Sequence, residues 1–299
     1  MKDWIQYMIV IFLGSYLISC EDVIEIDTDT ADALLTVDAW LNDLPEDQVI
    51  RLTKSQPYFQ NEFSPAVIGA SVSIISDDGE AFIFEDQGDG NYIWSVAGDS
   101  TLGKLGSQYT LMIDVEGRQI SSVTSMQPVP VIDSIVQEFR EDELGGPDGI
   151  YAQFFARDIP GLGNTYWIKT FKNGLFLNKP EEINLAYDGG FDAGAEIDGI
   201  IFIPPIRELV NPVPDSAEAD NDVPPYEVGD RIRVEIHSIS LEAFLFLESA
   251  RNEILNGSNT IFASPIANSP GNVYSVSDDQ EVLGVFCVSS VSSLEKQVE

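Results

Sequence analysis

Chemistry in this chain has few parts to draw on. Nucleophilic catalysis needs an activated Ser, Cys or Lys with a base in reach, and the sequence contains one histidine, His237. In Arg231–Ser238, the residues Arg231, Arg233, Glu235 and His237 alternate with the apolar Ile232, Val234 and Ile236. On a strand that alternation sends His237 to the solvent side. Cys287 lies within Leu283-Gly284-Val285-Phe286-Cys287-Val288, a setting in which a free cysteine acts as a small apolar core residue. A Cys287/His237 dyad is therefore not expected. No G-x-S-x-G, H-E-x-x-H or Walker-type glycine loop is present, and one histidine removes histidine-based metal clusters.

The remaining candidates are acids and rings. A carboxylate pair about 5 to 10 Å apart suffices for glycoside cleavage, so a carbohydrate-active hydrolase stays open as an alternative, but 50 acidic residues single out no pair. Calcium takes carboxylate and carbonyl oxygens on turns. Its candidate ligands are Asp86, Asp89 and Asn91 in one turn, Asp27, Asp29 and Asp32 near the amino end, and Asp215, Glu218, Asp220 and Asp222 in a loop. None of these fits EF-hand spacing. Among the aromatics, Trp40, Tyr92, Trp94, Tyr166 and Trp167 read as core fillers. The segment Gln56–Phe63 differs, because it is loop-like, joins two strands and carries Tyr58, Phe59 and Phe63. These three are the candidate partner or ligand contacts.

Composition narrows the classes further. The 299 residues are 44% apolar, ample for folded cores, and 50 acids against 15 bases give a net charge of −35. A phosphate backbone would be repelled across the average surface, which excludes nucleic acid. Lys2 precedes an apolar stretch, Trp4–Ile18, interrupted by Gln6, Gly14 and Ser15. That is signal-peptide length and too short to span a bilayer comfortably. The stretch ends in Leu17-Ile18-Ser19-Cys20, which resembles the lipobox of bacterial lipoproteins. By that resemblance residues 1–19 are a signal peptide and Cys20 is the acylated amino terminus of the mature chain. Fatty chains such as palmitate, at roughly 0.8 kcal/mol per buried methylene, would then hold it on a membrane. Residues 20–32 form an acidic tether with Glu21, Asp22, Glu25, Asp27, Asp29 and Asp32, similar to an export signal of lipoproteins displayed on the cell exterior. Display outward and retention on the periplasmic face both remain open.

The elements that must position any site are mainly β. Over residues 33–127 seven strands with period-two alternation are expected: Ala33–Leu41, Gln48–Ser55, Ala70–Ser76, Ala81–Asp86, Asn91–Val96, Gln108–Val115 and Arg118–Met126. Asp78-Gly79 and Glu116-Gly117 supply hairpin turns. Two such sheets covering each other's apolar faces make an immunoglobulin-like or transthyretin-like sandwich. Gln127-Pro128-Val129-Pro130 interrupts the ladder and marks a boundary. Residues 131–299 are expected to form a second β-rich domain with strands near Val131–Phe139, Ile150–Arg157, Thr165–Phe171, Arg231–Ser238, Val273–Ser277 and Val282–Val291. It also carries an acidic, proline-rich excursion at about 204–230, a candidate contact region. One helix, about 241–256, starts at the N-cap Ser240 and ends at Asn256-Gly257.

Several segments in order resemble the Bacteroidota outer-membrane lipoproteins catalogued as domain of unknown function 4249. They are the lipobox, Gly69–Ile74 with Asp78-Gly79, Gly90-Asn91-Tyr92, Tyr109-Thr110-Leu111, Met126–Pro130, Val228-Gly229-Asp230, Ser269–Val273 and Leu283–Phe286. The resemblance implies an accessory or substrate-capturing lipoprotein beside a TonB-dependent receptor, with no catalytic motif to carry over. A structural or adhesive surface protein is the alternative.

Overall fold

In a computed structural model, the described residues are 32–57, 62–96, 98, 100–141, 147–191, 198–214, 224–257 and 269–299. Cys20, Tyr58, Phe59, Asp27, Asp29 and the acids from Asp215 to Asp222 lie outside them. The chain is mainly β. The amino-terminal strands are β1 Leu35–Asn42, β2 Gln48–Lys54, β3 Ser71–Ser76, β4 Ala81–Asp86, β5 Asn91–Trp94, β6 Gln108–Val115 and β7 Arg118–Ser125, each close to its expected span. Alternation builds them: along β6 Tyr109, Leu111, Ile113 and Val115 are buried while Met112 and Asp114 face out. Glu116 and Gly117, at φ 51° and 79°, close the β6–β7 hairpin in the conformation that such a turn requires.

The carboxy-terminal strands are β8 Ile132–Arg140, β9 Gly149–Ala156, β10 Thr165–Lys172, β11 Leu175–Leu177, β12 Asn184–Tyr187, β13 Arg231–Ile239, β14 Tyr274–Ser275 and β15 Val282–Gln297, with helices α1 Pro204–Glu208 and α2 Leu241–Gly257. One path of hydrogen-bonded neighbours runs β11-β10-β13-β15-β1-β2-β5-β4-β3-β6-β7-β14, with β12 on β10 and a separate β8–β9 pair. The apolar faces of β1, β2 and β5 and those of β3, β4, β6 and β7 meet in one core, joined by Val273, Val282, Phe286 and Val288 from the far end of the chain. A second core lies between β8–β9 and one face of β10 and β13. A third packs α2 on the opposite face, with Ala243, Phe244 and Leu247 against Ile239, Val285 and Cys287.

β15 joins the two halves. Its first half pairs in parallel with β1, Leu35 opposite Val282 through Asn42 opposite Ser289. Its second half pairs antiparallel with β13, Ser238 opposite Ser290 through Arg231 opposite Gln297. Residues 33–299 form a single compact unit, so the passage at Gln127–Pro130 moves the chain from one core to another rather than between self-sufficient pieces. A backbone crossing secures the junction. Gly284 has φ 113°, and a Cβ there would stand 1.8 Å from the Val37 carbonyl oxygen; one on Gly271 would stand 2.2 Å from that of Gly284. Beside it the buried Asn272 amide donates to the Phe286 carbonyl and accepts from the Phe286 N–H, both at 2.8 Å. The side chain thus does for Phe286 what a neighbouring strand would do.

The described parts of the excursion, 204–214 and 224–230, reach into the core. Phe202, Ile206, Val210 and Tyr226 are buried in the second core, and Pro204-Pro205 open α1, where missing amide hydrogens cost nothing. Helix α2 begins as expected, the Ser240 hydroxyl accepting from the Ala243 N–H at 3.2 Å. Among the described residues no helix is long and apolar enough to cross a membrane.

Candidate functional site

Position His237 corrects the reading of β13 as a strand with a wet face. His237 is 3% exposed. Its Nδ1 lies 3.2 Å from Ser289 Oγ and its Nε2 3.2 Å from a Glu235 carboxylate oxygen. The Ser289 hydroxyl also lies 3.0 Å from the Leu41 carbonyl. Burial and the Lys169 cation pull the imidazole down to about 4, against the pull of Glu235. Glu235 in turn pairs with Arg233. A Ser-His-Glu row therefore exists, but Ser289, His237 and Glu235 are all buried, and no reacting atom can reach the hydroxyl. The physical reason is coverage: α2 packs on this face beside Ile239 and Cys287, and the Trp167 ring of the neighbouring strand β10 lies 6.3 Å from the imidazole, whereas the outer end of the face, at Arg231, is open. Cys287 is fully buried, and that burial pushes its thiol up to about 12, far from the thiolate that nucleophilic chemistry needs.

The same face, further along, is open. β1 alternation puts Thr36, Asp38 and Trp40 there, and the β1–β2 register sets Asp38 opposite Arg51 and Thr36 opposite Thr53. Thr36, Asp38, Arg51 and Thr53, with Glu62, Phe63, Ser64, Phe246 and Val285, line a cleft of about 550 Å³, within the range of small-ligand sites. The expected contact Phe63 stands 94% exposed at its rim. Trp40 continues the apolar wall, its ring centroid 6.4 Å from Phe246 and 5.1 Å from Trp167 in an edge-to-face contact. Lys169 caps this row, its ammonium 4.1 Å from the Trp167 ring centre and 5.9 Å from that of Phe176. Arg233 stacks 3.9 Å over Phe171.

The electrostatics of the cleft come from partial desolvation. Cleft walls strip hydration from Asp38 and raise its carboxyl above the ordinary range, while Arg51, Lys169 and a hydrogen bond from Trp40 pull the other way. Loss of hydration lowers the Lys169 ammonium to about 8, partly opposed by Glu235 and more distant carboxylates. Such a site keeps Asp38 and Arg51, of opposite charge, solvent-facing beside an apolar wall. Of the residues lining this cleft, the sequence singles out Phe63 and does not single out Asp38, Arg51 or Phe246. The Asp38/Arg51 register was the one available signal, and it needs the β1–β2 pairing to be read.

In the expected calcium turn the carboxylates accept local N–H groups. One Asp86 carboxylate oxygen accepts from the Gly69 N–H at 2.6 Å and the other from the Gly88 N–H at 2.7 Å, and these amides hold its carboxyl below the ordinary range. Asp89 accepts from the Asn91 backbone and side-chain N–H groups, both at 3.0 Å. Among the described residues, no group of three or more His, Cys, Asp or Glu side chains is placed to hold a metal ion. A second cleft, of about 420 Å³, lies between Gln108–Gln127 and Leu162–Thr165, with Glu242 as its one charged wall.

Residues 21–295 match the family model described as Domain of unknown function (DUF4249). No curated protein is recognisably similar to the chain.

Proposed function

We propose, from the premise that this chain belongs to the DUF4249 family, that it is a non-catalytic lipoprotein serving a TonB-dependent uptake system as an accessory or substrate-capturing component. Cys20 carries the lipid in the outer membrane, and the acidic residues 20–32 hold the folded part off the bilayer on the cell exterior. One observation carries the binding reading. The one histidine with its Ser289 and Glu235 neighbours, and Cys287, are buried in packed sheet, whereas Asp38, Arg51, Phe63 and Phe246 share an open cleft. Retention needs only the second arrangement.

Two measurements test this. Radiolabelled palmitate should enter the wild-type chain and not Cys20→Ala; equal labelling removes the anchor. Isolation in mild detergent should bring down a large β-barrel in stoichiometric amount. Its absence favours an adhesive role, and release of reducing ends from a glycan would replace binding with hydrolysis.

A further inference from the structure

In a chain with more than three acids for every base, a cation without a carboxylate partner is the exception. Lys54, Lys104, Arg118, Arg140, Lys172, Arg231 and Arg233 all hold ion pairs. Arg157, Arg251 and Lys296 donate to backbone carbonyls. Among the described residues, Arg51, Lys169 and Arg207 show neither an ion pair nor a hydrogen bond. Lys169 and Arg207 stack on rings instead, 4.1 Å from Trp167 and 4.3 Å from Phe155, which leaves Arg51. Arg51 and Lys169 both act on the Asp38 carboxylate, one from the adjacent strand β2 and one from across the aromatic row. Asp38 itself makes no ion pair among the described residues, and Glu62 adds a second carboxylate to the cleft wall.

Unpaired charges of both signs beside an apolar wall are complementary to a molecule that carries both signs beside an apolar group. A neutral sugar would leave the Arg51 cation idle. A polyanion would meet the long-range field of a chain with net charge −35. A zwitterion avoids both penalties.

We propose that the cleft binds a free amino acid or short peptide with an apolar side chain. Its α-ammonium lies between Asp38 and Glu62, its carboxylate is directed to Arg51, and its side chain packs against Phe246 and Val285. This rests on the reading of the cleft as a retaining site and names what it retains. The volume of about 550 Å³ limits the occupant to a small ligand rather than a protein surface.

The test is calorimetric titration of the full mature chain in mild detergent with leucine and tri-leucine, the N-acetyl and the amide form of each, maltotriose and trigalacturonate. Leucine against tri-leucine separates the free amino acid from the peptide. For the tighter of these two, blocking the amino end and blocking the carboxyl end should each weaken binding at least about tenfold, as removal of a charge-assisted contact does. Asp38→Asn should lose the preference for a free amino end and keep that for a free carboxylate; Arg51→Ala should do the reverse. Both side chains are solvent-facing, and unchanged thermal unfolding of each variant verifies the fold. Indifference to both blocking groups, tighter binding of either saccharide, or no saturable binding of any zwitterion up to millimolar concentration overturns the assignment. Those results alongside intact palmitate labelling and β-barrel copurification would remove the ligand and leave the anchored uptake role standing.

Discussion

Replacing Asn272 with alanine should cost about 2–4 kcal/mol of folding stability, a figure that follows from two hydrogen bonds. The side-chain amide is 5% exposed and satisfies both the N–H and the carbonyl of Phe286, itself fully buried. Each buried backbone group left unpaired costs roughly 1–3 kcal/mol, so two set a ceiling of about 6. Partial opening that admits water brings the expected loss into the lower part of that range. Against a typical total of about 5–15 kcal/mol the effect is large. Asn272→Asp separates hydrogen bonding from packing, because it keeps the volume and the acceptor for the Phe286 N–H but sets a carboxylate oxygen against the Phe286 carbonyl. It should lose at least as much at neutral pH. Equilibrium urea unfolding, with slopes compared between variants, gives the answer. Losses below about 1 kcal/mol in both variants would mean that Phe286 finds its partners elsewhere.

Two further outcomes follow from burial on the covered face. His237 has a folded value of about 4, below its ordinary 6.5, so between those values the unfolded chain binds more protons and stability falls as pH falls. Relative to His237→Gln, the wild type should lose up to about 2 kcal/mol between pH 7.5 and 5 by linkage, a window above the isoelectric point of about 4.1; a pH-independent difference refutes it. In a Cys20→Ala background Cys287 is the remaining thiol. It should resist a thiol reagent at pH 8 in the native state and react on unfolding, whereas equal rates in both states would contradict its burial.

Local pattern carried the amino-terminal half. Buried and exposed residues alternate cleanly along β6, and its expected span of Gln108–Val115 is the observed one, because neighbours close in sequence decide which side is covered. β13 shows where that logic stops. Its alternation is genuine, yet residues more than fifty positions away, including Ser289, approach His237, and no periodicity within a strand reports what another segment lays over it. β15 was foreseen only to Val291, since Ser289, Ser290, Ser292 and Ser293 lack apolar bulk. β11 was missed although Asn173 and Gly174, at φ 53° and 83°, make the hairpin turn before it, a signal present in the dipeptide itself. For the cleft, Phe63 was legible as an exposed ring on a connection. Asp38 was not, because it is a lone charge within an otherwise ordinary strand and gains its setting from pairing.

The position of β15 makes the fold depend on its longest-range pairing. β1 and Val282–Gln297 stand far apart in sequence, yet they are direct neighbours in the hydrogen-bonded path. Until that segment docks, β1 lacks its partner along one whole edge, and the first core lacks Val282, Phe286 and Val288. Neither half can reach its finished architecture before the other, and contacts of such sequence separation make assembly slow relative to a chain of local pairings.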